Sequence, residues 1–211
     1  ARAEDEAKLP TPAIVFADDD ILVVDKPAGL LSAPTPESDR NNLVSVIGDV
    51  YVVHRLDLQT SGLIVFAKTA EANRVLGERF RVHDISREYL AAVAGAFGSE
   101  ARTFSFPVGG RRAVTHFSRE EALGQRATLL RCRLETGRTH QIRLHGRELG
   151  HSVLADPRYG TRTDFDPPRR ALHATHLGFV HPRTGEMLRF DSPWPPDLMP
   201  WLVAMRASCR C

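Results

Sequence analysis

The sequence predicts an α+β domain built on a long, mixed but mainly antiparallel sheet with flanking helices. Three observations predict it. Segments of strand character outnumber helical ones, and several strands follow one another across short turns with no helix between them. Of 211 residues, 42% are hydrophobic and 26% charged, the balance of a globular chain that can bury a core without disulfide or metal staples.

Residues 1–12 are charged and interrupted by Pro10 and Pro12, which reads as a disordered lead-in. Residues 13–206 read as one domain and 207–211 as a tail. Ile14–Phe16 and Asp20–Asp25 have the apolar character of short strands, ended by a Lys26-Pro27-Ala28-Gly29 turn. A polar loop follows over 32–42, then a buried strand over Gly62–Lys68. Thr69 is placed to cap a helix to about Val82, with Ala72, Val75, Leu76 and Phe80 on one side. Arg87–Val93 is a further strand, closed by Gly95.

Ala127–Glu135 alternates. Thr128, Leu130, Cys132 and Leu134 fall on one face, so Cys132 belongs to the core, while Arg131 and Arg133 face either solvent or a partner. Thr139–Leu149 predicts a short helix closed by Gly150. Strands return over His173–Val180 and Met187–Phe190, and a helix over Leu198–Arg206 ends the domain.

Charge is unevenly placed. Residues 1–100 carry ten basic and sixteen acidic side chains, residues 101–211 eighteen and ten, and 25 of the 28 basic residues are arginines. Arginine's planar fork suits phosphate, so the basic half hints at nucleic acid, although a solvated surface has the same composition. No apolar run approaches a membrane span, and no basic leader with an apolar core opens the chain. Three cysteines with no spaced framework point to a reducing, cytoplasmic compartment. Cys209-Arg210-Cys211 has the wrong spacing for a zinc knuckle.

Two runs carry candidate chemistry. In Val53–Gly62 (VHRLDLQTSG), Asp57 sits in a loop entering a buried strand, where catalytic groups concentrate. It can equally be a turn carboxylate accepting backbone N–H bonds. In Glu135–His145 (ETGRTHQIRLH), Gly137 breaks a strand and a helix begins with Arg138 and Arg143 near its start. That is an anion site for a phosphate or for a carboxylate such as Asp57, or else a solvated helix face. His140 and His145 are spaced i,i+5, which does not put two ligands on one helical face, so no metal is expected. His54-Arg55-Leu56-Asp57 superficially looks like a kinase loop, but no glycine-rich loop or DFG accompanies it.

Together the runs resemble one family, the RluA-like pseudouridine synthases. Val53–Gly62 matches the HRLDxxTSG signature, and His54 stands where the small-subunit-rRNA branch of the superfamily has glycine. Asp18–Pro34, Arg87–Gly95, Thr136–Gly160 and the closing Leu172-His173-Ala174 with His181-Pro182 follow in the family's order, over about residues 14–198. Arg87 replaces the commoner lysine and Ala155 the commoner glycine.

The resemblance implies the pseudouridine synthase fold with a central cleft, and a stand-alone catalytic domain that isomerises uridine in rRNA or tRNA as a monomer, with no cofactor, metal or membrane. It implies that Asp57 is the essential aspartate, Arg143 its counter-charge (Arg138 as second choice) and Tyr89 the tyrosine on the uracil face. Arg55 is the candidate to fill the gap left by a flipped base. His54, Thr60, Arg131, Arg133, Arg138, His140 and Gln141 are expected at the substrate, with Arg111 and Arg112 as further RNA contacts. An RNA-binding protein that keeps the fold without chemistry, and a hydrolase built on Asp57 with histidines, are the alternatives.

Overall fold

A computed structural model describes residues 11–36 and 41–209. The first half contains β1 (Ala13–Ala17), β2 (Ile21–Lys26), α1 (Leu43–Ile47), β3 (Tyr51–Val52), β4 (Ser61–Ala67), α2 (Ala70–Arg81) and β5 (Ser86–Ala94). The second contains β6 (Arg102–Ser105), β7 (Val114–Leu123), β8 (Ala127–Leu134), α3 (Gln141–Glu148), β9 (Leu172–Val180), β10 (Met187–Asp191) and, after a 3₁₀ turn at Pro196–Leu198, α4 (Met199–Ser208).

Ten strands make one sheet in the order β1-β2-β4-β9-β5-β8-β7-β6, with β10 paired to β9 and β3 to β4. Every pairing between these strands is antiparallel except one. β4 and β9 run parallel and touch at two residue pairs, Ser61 with His173 and Gly62 with Ala174. Gly62 is dictated by this junction: its φ is +114°, and a Cβ would lie 2.2 Å from the Ala174 carbonyl oxygen. The sheet is thus two antiparallel halves joined by a short seam, and the loop carrying Asp57 leads directly into that seam.

Burial follows the predicted periodicities. β4 is buried along its whole length, which explains its unbroken apolar run. Thr69 caps α2 by accepting from the Ala72 N–H, and Leu76 packs with Ile21, Val23, Leu63 and Val65. On the other half, Leu198, Leu202 and Met205 press against Leu90, Leu129 and Trp194. Cys132 is fully buried, in a cluster with Ala91, Leu130, Leu134 and Ile142. Tyr89 packs against the clusters of both halves, so it spans the seam from within.

Some expectations require correction. α1, β3, β6 and β7 are not anticipated from the pattern. Pro12, placed in a disordered lead-in, is buried, while residues 1–10 lie outside the described residues. The expected helix over 139–149 begins only at Gln141, because His140 takes a left-handed conformation (φ 57°) at its N-cap. The last helix runs two residues past Arg206, and Cys211 lies outside the described residues. No helix among the described residues is long and apolar enough to cross a membrane.

Candidate active site

The loop before β4 is pinned from several sides. Lys26, fully buried, donates from Nζ to the carbonyls of Leu30 (2.7 Å), Pro27 (2.9 Å) and Leu58 (3.4 Å), and burial pushes its pKa down to about 7. Ser32 Oγ both accepts from the Leu56 N–H and donates to the Leu56 carbonyl, each at 2.9 Å. The Gly29 N–H donates to Leu58 O, and the Thr60 N–H closes a turn onto Asp57 O at 3.0 Å. Arg169, paired with Asp197, donates to the Gln59 and Arg170 carbonyls. Asp57 is therefore offered on a backbone with little freedom, as precise positioning of a reacting group requires.

Asp57 lies in a cleft of about 560 Å³, large enough for a nucleoside. Arg143 Nη1 donates to its Oδ2 at 2.8 Å, and Arg170 Nη1 reaches the same oxygen at 3.3 Å. Arg143 also grips Asp156 with Nε (2.6 Å) and Nη2 (3.0 Å), a two-point pairing that fixes the plane of the guanidinium. Two carboxylates thus share two buried arginines. Burial alone would raise the Asp156 carboxyl, but Arg143 and the Arg158 N–H hold it below its ordinary value. Arg143 is shifted upward: burial opposes this, and Asp156 and Asp57 outweigh it. The aromatic face of Tyr159 lies 4.8 Å from the Arg143 guanidinium carbon.

The remaining walls are aromatic and apolar. Tyr89, Leu134, Ile142 and Leu172 line the cleft. Burial pushes the Tyr89 phenol above its usual pKa, Arg87 opposing and Asp57 adding. A bulge in the β5–β9 pairing between Glu88 and Tyr89 re-aims this part of the strand. His140 Nε2 stands 3.7 Å from Asp57 Oδ1 while its Nδ1 meets the Tyr159 hydroxyl at 3.0 Å. Burial lowers its pKa, so the ring is neutral near pH 7.

Among the expected site residues, the structure brings Asp57, Tyr89, Arg143, His140, Arg138, Arg55, His54 and Thr60 to the one cleft. Arg55 is exposed at its mouth. Thr60 is buried with no partner for Oγ1 among the described residues. His54 is committed to structure: Nε2 accepts from the Val65 N–H, the ring stacks on Phe80, and burial with nearby Arg87 lowers its pKa to about 3.

Four residues are placed elsewhere. Gln141 is buried with its amide fully used, accepting from Thr136 Oγ1 and the Arg138 N–H and donating to Val114 O and Thr115 Oγ1. It locks α3 to β7 instead of facing a ligand. Arg131 is held by Glu88 and Glu120, and Arg133 shares its side of β8, opposite the cluster that holds Cys132. Arg112 pairs with Glu135.

Sequence reasoning passed over Arg170 and the role of Asp156. Both come from the stretch between α3 and β9, which has no periodicity to read. His145 and His151 have separate structural partners, Thr115 and Phe106 O for the first and Ala94 O for the second. A cluster with metal-ligand proximity, Asp18–Asp20–His181, lies outside the cleft lining. All four of its carboxylate oxygens already meet donors from His181, Arg183 and the backbone.

Residues 20–147 match the family model described as RNA pseudouridylate synthase. The chain is similar to the ribosomal large subunit pseudouridine synthase D of Zymomonas mobilis, at 40% identity over 222 residues, covering 88% of this chain and 70% of that protein. It is similar also to the uncharacterized RNA pseudouridine synthase YlyB of Bacillus subtilis, at 38% identity, covering 92% and 72%. In fold it is similar to human RNA pseudouridylate synthase domain containing 4 (TM-score 0.75, 18% identity, 92% and 93% covered). Human RNA pseudouridylate synthase domain containing 1 gives a TM-score of 0.73 at 22% identity, with 97% and 98% covered.

Proposed function

The chain belongs to the RNA pseudouridylate synthase family, and on that premise we propose that it isomerises uridines of large-subunit ribosomal RNA, with Asp57 as the essential carboxylate and residues 13–206 as the catalytic domain. The observation that carries this reading is the Asp57 carboxylate held by Arg143 at 2.8 Å and Arg170 at 3.3 Å inside a cleft of nucleoside size.

The reaction breaks the ribose–N1 bond, turns the uracil, and forms a bond from ribose C1′ to uracil C5. The C5 proton leaves and N1 gains one, so atoms and electrons balance within the substrate and no redox partner or energy carrier is required. It works without a metal. The uridine must leave the RNA stack to reach the cleft, and Arg55 at the mouth is placed to occupy the gap.

In this scheme the Asp57 side chain attacks the nucleotide, or removes a ribose proton, at the stage when the C–N bond breaks. Arg143 and Arg170 hold that side chain in a partly dry site, the kind of preorganised electrostatics that contributes most in low dielectric. Tyr89, with its neutral phenol, packs against the uracil and takes part in removal of the C5 proton. His140, neutral and half-buried 3.7 Å from Asp57 Oδ1, contacts the substrate beside the carboxylate. The protein acts as a monomer in the cytoplasm.

The test is release of tritium from [5-³H]uridine-labelled 23S rRNA and, separately, tRNA transcripts by the purified chain, with the modified position mapped. Release from 23S rRNA is expected. Release from tRNA alone would reassign the target, and none from either would refute the reading.

A further inference from the structure

Three arginines are buried among the described residues: Arg87, Arg143 and Arg170. The latter two share the Asp57 and Asp156 carboxylates. Arg87 has none. It is 8% exposed, its Nε and Nη2 have no hydrogen-bond partner among the described residues, and its guanidinium lies over the Phe80 ring at 5.5 Å. A buried charge without a partner is strongly unfavourable, so an uncompensated arginine on a cleft wall is one whose partner arrives from outside.

The surroundings say what that partner is. Arg87 Nη1 is lodged against the loop at Gly137, where a Cβ would come within 2.4 Å of it. Arg138 lines the same end of the cleft and spends its Nε on the Arg112 carbonyl, without a carboxylate. His83, in a left-handed conformation (φ 63°), also lines it, and its buried Nδ1 has no partner either. The acids adjoining these residues in the chain are already paired, Asp84 with Arg79, Glu88 with Arg131, and Glu135 with Arg112 and His116. This end of the cleft is therefore positive, donor-rich and short of acceptors. Arg87 and Tyr89 are two positions apart on β5, about 7 Å along a strand, the reach of a single nucleotide.

We infer that Arg87, with Arg138 and His83 beside it, forms a subsite for one phosphodiester of the substrate RNA, next to the uridine held at Asp57. This rests on the proposed pseudouridine synthase activity for the identity of the ligand, and adds to it a residue that anchors the strand instead of acting on the base. Burial and Arg138 both push the guanidinium's pKa down, and a bound phosphate reverses that.

The experiment measures binding of a fluorescein-labelled 20-nucleotide oligouridylate to the full chain across a range of KCl, for wild type, Arg87→Met, Arg87→Lys and Arg138→Met. Arg87→Met is expected to bind about tenfold more weakly at low salt, and to lower the slope of log Kd against log salt by about 0.7, one phosphate on a single strand. Arg87→Lys should recover most of the slope. An Arg87→Met slope equal to wild type, with or without a fall in thermal stability, would overturn the subsite and leave Arg87 as a packing residue on Phe80. Tritium release is measured in parallel. A wild-type protein that binds with the predicted slopes yet releases no tritium refutes the catalytic reading and leaves the phosphate subsite standing.

Discussion

Arg143 reaches Asp57 with one nitrogen, Nη1 at 2.8 Å, while its other two nitrogens are fixed on Asp156. The geometry makes Asp156 the anchor and Asp57 the group being served. Asp156→Asn keeps the shape but gives Arg143 one neutral oxygen in place of two charged ones. It is expected to lower kcat by about 10–100-fold with a smaller change in KM, since a second carboxylate orients the group that stabilises the reacting one. Steady-state kinetics check this, and an unchanged kcat would show that Arg143 holds its place without Asp156.

Arg143→Lys retains the charge and loses the fork. A single ammonium cannot reach both carboxylates in the arginine's geometry, so activity should fall by at least 100-fold. Thermal unfolding should show a loss of about 2–4 kcal/mol, because one buried carboxylate is left short of its partner.

Gly62→Ala tests the seam. The substitution combines a φ of +114° with a Cβ 2.2 Å from the Ala174 carbonyl oxygen, which is backbone and cannot move aside. A destabilisation of about 3 kcal/mol or more is expected, read from urea unfolding, together with loss of activity as the Asp57 loop shifts.

Acid should weaken the fold. Burial lowers the pKa of His54 to about 3 and of His173 to about 4, against an unfolded value near 6.5. Both rings are neutral when folded, so their contribution is complete above pH 6.5. It declines as pH falls, because the unfolded chain takes up protons that the folded chain refuses. Between pH 7 and pH 5 the loss should be on the order of 1–2 kcal/mol for each ring. His173→Gln, which keeps polar contact to Ser61 and Ser192, should flatten the decline in Tm. A Tm independent of pH over that range would contradict this.

Much of this site was readable from residue order, and the failures have physical reasons. The Asp57 loop and α3 stood out because a turn sequence precedes an unbroken apolar run in one, and a strand break precedes amphipathic spacing in the other. β7 was not readable: a bulge between Arg119 and Glu121 disrupts its alternation, and its outer half is solvent-facing. Gln141 shows why polarity at a helix start is ambiguous: it looks available in the sequence, whereas its amide is consumed by Val114, Thr115, Thr136 and Arg138. Arg170 lies 113 residues from Asp57, in a proline-broken stretch, and only the parallel β4–β9 pairing brings the two together. Arg131 and Arg133 showed the right alternation, but alternation alone does not say which face of a sheet meets the ligand.

In the proposed reaction Asp57 performs the chemistry while the rest of the cleft binds. Asp57→Asn removes the charge and preserves the side-chain shape. Tritium release from [5-³H]uridine-labelled 23S rRNA, measured alongside the Kd for the same RNA, should fall to background with affinity kept within about threefold of wild type. Asp57→Asn protein that still releases tritium at the wild-type rate would contradict the account.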